Sequence, residues 1–155
     1  MRKKIATIRT GLLTAAAFAL AAIVIGDSAQ AAGAGFAGHA LTSTENECFT
    51  QDIHGGVTNT LCNTAQWCWS QFDNTGGTHT LSVAGFKPSN ASFLCIARAI
   101  DQFGNFVGPT PSVNMLTSNT NNKITVGAVS VPAGGAYLVC CSIGMNAKIE
   151  TFDLN

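Results

Sequence analysis

Two adjacent cysteines, Cys140 and Cys141, constrain the fold of this 155-residue chain more than any other feature. They end an apolar run that begins at Ala136 and follows a turn sequence containing Pro132 and Gly134. Side chains alternate across a β-strand, so neighbouring cysteines on one strand point to opposite faces. We therefore expect this run to form a central strand in which each cysteine bonds to a different partner.

The other cysteines predict a disulfide-stapled exported domain. An even number of cysteines is typical of disulfides in an oxidising compartment, although the count alone does not give their connectivity. The strand pattern favours Cys95 with Cys141 inside the core, Cys68 with Cys140, and Cys48 with Cys62 across a first hairpin. With no C-x-x-C motif and no adjacent histidine, a structural role is favoured over a redox role.

Residues 1–31 have the pattern of a secretory signal peptide. Four basic residues precede a short apolar run, and Ala29-Gln30-Ala31 supplies a small-residue cleavage site. An uncleaved membrane anchor is the alternative, but the run is short for roughly 30 Å of hydrocarbon. The segment predicts a secreted or periplasmic protein of bacterial type, with no membrane attachment after cleavage.

Removal of this segment leaves an acidic chain with few cations. Residues 32–155 contain four Lys or Arg and seven Asp or Glu, a net charge of −3. Four isolated cations cannot form the basic surface that nucleic acid or anionic lipid requires. The charge therefore predicts neither a nucleic-acid partner nor polybasic membrane binding.

The remaining chain predicts an Ala/Gly-rich flexible lead-in over residues 32–44 and one β domain over residues 45–155. Short apolar runs alternate with turn signals, without a sustained helical period. The predicted fold class is all-β, a single antiparallel β-sandwich of about eight strands, jelly-roll or immunoglobulin-like. We expect a hairpin loop at 73–77, a bulge at Gly127, and the segments 92–101 and 123–131 as neighbours of the central strand.

Trp67, Trp69 and Gln71 are the candidate ligand-binding residues. The two tryptophans lie two positions apart on one strand and therefore share a face. If exposed, they would form an aromatic platform for a sugar ring, with Gln71 at its rim. If buried, they belong to the core, which is the interpretation that the pattern favours. The irregular stretch 102–122 is a second place where function could lie.

Neither catalysis nor metal binding has a clear signature. Asp52 with His54, and Asp73 with His79, are acid–imidazole pairs close in sequence, which is weak evidence for a triad. The histidines lack zinc-site spacing, and the acidic turns at Asp73 and Asp101 suit ordinary turns better than Ca²⁺. We expect no cofactor, no metal and no enzymatic activity, with an extracellular hydrolase as a remote alternative.

The run from Cys48 to Leu154, with strand-borne cysteines and the sequence Val-Pro-Ala-Gly-Gly-Ala-Tyr from Val131, resembles small secreted bacterial β-sandwich proteins of unknown function. The resemblance implies the fold and carries no functional residues. The sequence thus predicts a secreted non-enzymatic protein with a surface, binding or structural role. The alternatives are a carbohydrate-binding module that uses the tryptophans and a subunit that self-associates through edge strands such as 148–154.

Overall fold

The computed structural model of the protein describes residues 31–34 and 38–155. These residues contain twelve strands and a short 3-10 helix, Glu45–Cys48. Residues 1–30, with almost all of the predicted signal peptide, and Phe36 lie outside these ranges. The strands are β1 (Ala31–Ala34), β2 (His39–Ala40), β3 (Phe49–Gln51), β4 (Val57–Asn59), β5 (Thr64–Asp73), β6 (Gly77–Phe86), β7 (Phe93–Ile100), β8 (Phe106–Val107), β9 (Ser112–Asn114), β10 (Asn121–Val131), β11 (Gly135–Gly144) and β12 (Lys148–Leu154).

The strands form two antiparallel six-stranded sheets, which confirms the predicted β-sandwich. Sheet A has the order β10-β6-β12-β4-β3, with β1 also paired to β12. Sheet B has the order β2-β5-β11-β7-β8, with β9 also paired to β7. The core lies between the sheets, and its largest side chains fully removed from solvent include Tyr137, Phe93, Phe152, Leu81 and Ile143.

Strand β11 is central in sheet B because both of its edges are paired. Cys140 lies opposite Cys68 of β5, and Cys141 lies opposite Cys95 of β7. Each opposed pair forms a disulfide, and a third joins Cys48 to Cys62. These are the three pairs that the strand pattern favours. Cys95 and Cys141 are fully buried between the sheets, whereas Cys68 and Cys140 lie on the outward side of β5 and β11.

Two expectations about connectivity are wrong. The second neighbour of β11 is β5, because β10 pairs with β6 in the other sheet. The loop 73–77 is also not a hairpin, because it carries the chain from β5 in sheet B to β6 in sheet A. Glycines allow a tight turn in either case, so composition does not distinguish a hairpin from a crossing between sheets. The turn between β10 and β11 crosses beside it, and the Gly134 amide donates to the Asp73 carbonyl.

Gly127 marks an irregularity in β10, as the sequence predicts. The pairing of β10 with β6 shifts register between Thr125 and Gly127. Gly127 has a φ of 145°, and a Cβ at this position would lie 2.6 Å from the Pro111 Cβ. The bulge thus needs glycine both for its backbone conformation and for the close approach of the loop before β9.

The ends of the described chain differ from the expectations. The Ala/Gly-rich lead-in contributes two short strands, since β1 pairs with β12 and β2 pairs with β5. Strand β12 is an interior strand, paired to β6 on one edge and to β4 and β1 on the other. The expected edge-strand role for residues 148–154 is therefore corrected, because their backbone groups already have partners within sheet A.

Asn59 is a buried polar residue that connects the two sheets. Its side-chain Nδ2 donates to the Ile143 carbonyl at 2.8 Å and to the Cys62 carbonyl at 2.9 Å, and its Oδ1 accepts from the Cys62 amide at 3.1 Å. The residue has no exposed surface. A buried amide is tolerated here because its hydrogen-bonding groups are satisfied.

Candidate functional site

The tryptophan pair belongs to the core. Trp67 is 3% exposed and Trp69 is 6% exposed, because their shared face points into the sandwich. The Trp67 ring contacts Phe49 at 4.8 Å between centroids, and the Trp69 ring stacks on Phe152 at 5.8 Å. Burial is the interpretation that the sequence pattern favours, and the structure confirms it. The opposite sheet covers both rings, so Trp67 and Trp69 do not form an exposed platform with Gln71.

The outward surfaces of the two sheets differ in chemistry. The outward positions of β6, β10 and β12 carry mainly hydroxyl and charged side chains, such as Thr78, Thr80, Thr125, Lys123 and Asp153. The outward positions of the three main strands of sheet B are mainly apolar. We call this surface the apolar face, which comprises Gln66, Cys68, Ser70 and Phe72 of β5, Ala136, Leu138, Cys140 and Ser142 of β11, and Leu94, Ile96, Arg98 and Ile100 of β7.

Two exposed phenylalanines border one end of the apolar face. Phe72 lies opposite Ala136, Ala136 lies opposite Ile100, and Ile100 lies opposite Phe106 of β8. This cross-strand row spans three strand intervals, so the two phenylalanine backbones are roughly 14 Å apart. Phe72 is 62% exposed and Phe106 is 60% exposed. Ala136 and Ile100 thus form an apolar floor between the two aromatic side chains.

A shallow depression lies beside this row. It has a volume of about 230 Å³ and is lined by Leu41, Gln66, Ile96, Arg98, Phe106, Leu138 and Cys140. Enclosed small-molecule sites usually exceed about 300 Å³, so this depression suits a ligand that lies along the surface. The Cys68–Cys140 disulfide joins two of the strands beneath it, which makes its floor rigid.

Arg98 is the charged residue of the apolar face. Its guanidinium carbon lies 4.6 Å from the centroid of the Phe106 ring, within the range of a cation–π contact. The other positions of the face are apolar or carry neutral amide and hydroxyl groups. The depression thus has an aromatic wall, an apolar floor, one cation and the amide of Gln66.

The two acid–imidazole pairs have structural roles in this arrangement. Asp73 Oδ2 accepts from the Tyr137 hydroxyl at 2.8 Å, and His79 Nε2 lies 3.7 Å from the same oxygen. Burial acts to raise the pKa of Asp73, but hydrogen bonds from Tyr137, Gly76 and Thr75 outweigh burial and lower it. Burial, together with Asp73, also raises the pKa of Tyr137. The carboxylate thus stabilises the crossing loops.

Asp52 does not orient the imidazole of His54. It accepts from the backbone amide of His54 and pairs with Lys148, whose Nζ is 2.6 Å from Asp52 Oδ2 and 2.7 Å from Glu150 Oε1. The hydrogen bond from Lys148 lowers the pKa of Asp52 to about 2. This is a surface ion-pair network at the β3–β4 loop.

The acidic turns are satisfied by their own loops. Asp101 accepts from the Phe103 and Asn105 amides and from the Asn105 side chain. Asp73 likewise accepts from Thr75 and Gly76. Among the residues described, no three His, Cys, Asp or Glu side chains are grouped so as to hold a metal ion.

Several solved structures share the β-sandwich fold of this chain, and carbohydrate-binding modules are among them. No family matches the chain, and no curated protein matches it in sequence. A family 35 carbohydrate binding module from Clostridium thermocellum is 12% identical, with a TM-score of 0.51, over 82% of this chain and 98% of that chain. The CBM36-1 domain of a multidomain xylanase from the hindgut metagenome of Trinervitermes trinervoides is 13% identical, with a TM-score of 0.54, over 81% and 96%.

An enzyme that contains such a module is also similar in fold. The GH26-CBM35 β-(1,4)-mannanase of Podospora anserina has a TM-score of 0.57 and 12% identity over 81% of this chain. The chain spans about a quarter, 27%, of the length of that mannanase. At these identities the likeness shows the fold, a β-sandwich of the kind found in binding modules.

The disulfides fit an oxidising compartment outside the cytoplasm. Within residues 31–34 and 38–155, no helix has the length and apolar character needed to cross a membrane.

Proposed function

We propose that the protein is an exported, non-enzymatic β-sandwich module that binds a carbohydrate on its apolar face. The observation that carries the proposal is the surface around Phe106, where exposed aromatic and apolar side chains adjoin the guanidinium of Arg98 and the amide of Gln66. One face of a pyranose ring presents C–H groups and its edge presents hydroxyls. Such a ring needs an apolar surface with a few polar groups at its border, which this face supplies.

The scaffold favours this role because it holds the side chains on rigid strands. Phe72 and Arg98 lie on strands that are joined to β11 by the Cys68–Cys140 and Cys95–Cys141 disulfides. A surface fixed before binding loses little conformational entropy when a ligand docks. The likeness in fold to carbohydrate-binding modules supports the same ligand class, on a surface other than the tryptophan pair.

The alternatives have weaker support. A hydrolase would need a free acid or base, but the carboxylates of Asp52 and Asp73 are engaged in ion pairs and turns. Assembly through residues 148–154 would need an unpaired edge, and β12 is paired on both sides.

Affinity gel electrophoresis against soluble xylan, mannan, laminarin, polygalacturonate and alginate tests the proposal. We expect one or more polysaccharides to retard the protein, and Phe106→Ala to weaken that binding at least tenfold. Ile53→Ala is the matched control, since Ile53 is 95% exposed in the β3–β4 loop, away from the apolar face. The tryptophans should play no direct part, so fluorescence emission from the buried pair should change little on binding.

Two results would overturn the proposal. The first is that no polysaccharide retards the protein or that Phe106→Ala binds as well as the unmodified chain. The second is a concentration-dependent dimer in sedimentation that disappears in Phe72→Ala, because the apolar face would then serve to bind a second copy.

A further inference from the structure

Arg98 has an unusual position for a charged residue in this protein. It lies on the outward side of β7, between Ile96 and Ile100 along the strand and opposite Leu138 of β11. The side chain is half-buried among these apolar neighbours. Removing a guanidinium from water has a free-energy cost unless a partner compensates it.

The partner expected for such a cation is missing from the described part of the chain. Lys148 pairs with Asp52 and Glu150, and Lys123 pairs with Asp153 at 2.7 Å, all on sheet A. Arg98, like Lys87 in the β6–β7 loop, makes no ion pair and no side-chain hydrogen bond with any described residue. What distinguishes Arg98 is its place on the apolar face, where its specific contact is the one with the Phe106 ring. Within the described part of the chain, its hydrogen-bond donors thus have no protein acceptor and are open to one from a ligand.

The carboxylates at the rim of the face are already engaged. Glu45 accepts from the backbone N–H of Gln66 at 3.1 Å and from the Thr42 hydroxyl, and Asp101 accepts from the backbone and side chain of Asn105. The outward positions of β5, β7 and β11 carry no acidic residue. Arg98 is thus the one charged side chain at the outward positions of these three strands, and the two rim carboxylates are held by neutral donors.

From this geometry we infer that the carbohydrate is acidic, and that Arg98 binds the carboxylate of a uronic acid residue while Phe106 packs against its ring. The inference rests on the proposed carbohydrate-binding function and specifies its ligand class. A guanidinium that stacks on an aromatic ring keeps its N–H edges available, and its fork matches the two oxygens of a carboxylate. The amide of Gln66, across the depression, is placed to hydrogen-bond sugar hydroxyls.

Isothermal titration of the mature chain with a galacturonate hexamer and with its fully methyl-esterified form tests the inference. Esterification keeps the ring and removes the charge, so we expect the ester to bind at least tenfold more weakly. Arg98→Gln should lose about the same factor for the acidic hexamer and little for the ester. Arg98→Lys should recover part of the affinity, because a lysine keeps the charge but lacks the bidentate fork.

Lys87→Gln is the matched control, because it removes one positive charge from a loop outside the apolar face. Its affinity for the acidic hexamer should be unchanged, and the unfolding temperature of each variant should match that of the unmodified chain. The affinity of the unmodified chain for the acidic hexamer should also decrease as the salt concentration is raised. This salt dependence should be absent in Arg98→Gln, because the ion pair is then absent.

Three outcomes would overturn the inference. The first is that the hexamer and its ester bind with equal affinity, or that Arg98→Gln binds the hexamer as tightly as the unmodified chain does. If a neutral polysaccharide still binds in a way that depends on Phe106, the proposed function stands and only the acidic ligand class is wrong. Another is that dextran sulfate binds as tightly as the hexamer with the same dependence on Arg98, so that any polyanion is accepted. The third is that no polysaccharide, acidic or neutral, binds, in which case the proposed function fails with it.

Discussion

Removing the inner disulfide of β11 is expected to destabilise the protein more than removing the outer one. The two bridges share a covalent ring, which consists of residues 68–95, the Cys140–Cys141 peptide unit and the two disulfides themselves. With one bridge kept, the other therefore closes a loop of about 30 residues. Opening such a loop costs ~3.6 kcal/mol through the entropy of the unfolded chain, and this amount is the same for both bridges.

The two bridges differ in how deeply their cysteines are buried, and this difference sets their relative costs. Cys95 and Cys141 are both fully buried, whereas Cys68 is buried and Cys140 is half-buried on the outward side. Deleting a buried sulfur leaves a small cavity, which adds about 1 kcal/mol per site. Replacing Cys95 and Cys141 by alanine should thus cost ~5–6 kcal/mol, and replacing Cys68 and Cys140 should cost ~4–5 kcal/mol.

Urea unfolding of the two double-alanine variants measures these costs. The Cys48 and Cys62 pair is the reference, since its sequence separation of 14 predicts a loss of about 3 kcal/mol that adds to either of the others. The reasoning is refuted if the outer pair costs as much as the inner pair, or if either variant loses less than about 1 kcal/mol.

Three further predictions concern buried or paired polar groups. Asn59→Ala should lower the free energy of unfolding by about 2–4 kcal/mol in urea titrations, because it leaves buried backbone groups without partners. Tyr137→Phe should cost about 1.5–3 kcal/mol, because its hydroxyl donates to the ionised Asp73. Asp52 has a pKa of about 2 in the folded chain against an ordinary value of 3.8, because Lys148 donates to it. Its contribution to stability is present above about pH 4 and is lost as the pH falls towards 2, so Asp52→Asn should make the thermal midpoint less dependent on pH in that range.

Matched controls distinguish these effects from general surface changes. Asn90→Ala alters an exposed asparagine and should leave the urea midpoint unchanged. Glu150 also pairs with Lys148. If the thermal midpoint of Asp52→Asn still falls as steeply at low pH, then Glu150 or other acids, and not Asp52, cause the pH dependence. A Tyr137→Phe variant as stable as the parent chain would mean that the bond to Asp73 contributes nothing net.

Much of the fold follows from local sequence. Alternation along 93–100 gives the correct inward set for β7, and the shift of apolar parity around Gly127 locates the bulge in β10. The bridge pairs follow from the opposite directions of Cys140 and Cys141, since Cys95 lies on the inward side of its strand and Cys68 on the outward side of its own. These features depend on strand periodicity, which the sequence carries directly.

The order of the strands in each sheet cannot be predicted from local sequence in the same way. A glycine-rich loop such as 73–77 can close a hairpin or cross between sheets, and the choice depends on which apolar faces pack together far along the chain. Likewise β12 is interior because short segments from the start of the domain, β1 and β4, cover its second edge. Long-range pairing of this kind leaves no periodic signal in either partner.

The candidate site was missed because its apolar residues predict burial. Leu94, Ile96 and Ile100 on β7, with Leu138 on β11, suggest a strand covered on both faces, although only one face meets the opposite sheet. The signal that could have located the site is Arg98 among them, since an unpaired cation is rarely placed on a fully covered face. Phe106 does lie within the irregular stretch 102–122.

The two adjacent cysteines also govern which alignment of β11 can be oxidised during folding. A slip of one residue would turn Cys140 towards the interior and Cys141 towards the exterior, so that neither would face its present partner. A slip of two residues would restore the facing but move both sulfurs about 7 Å along the strand, beyond bonding distance. Only the native alignment closes both bridges, so disulfide formation would covalently select the correct register over these alternatives.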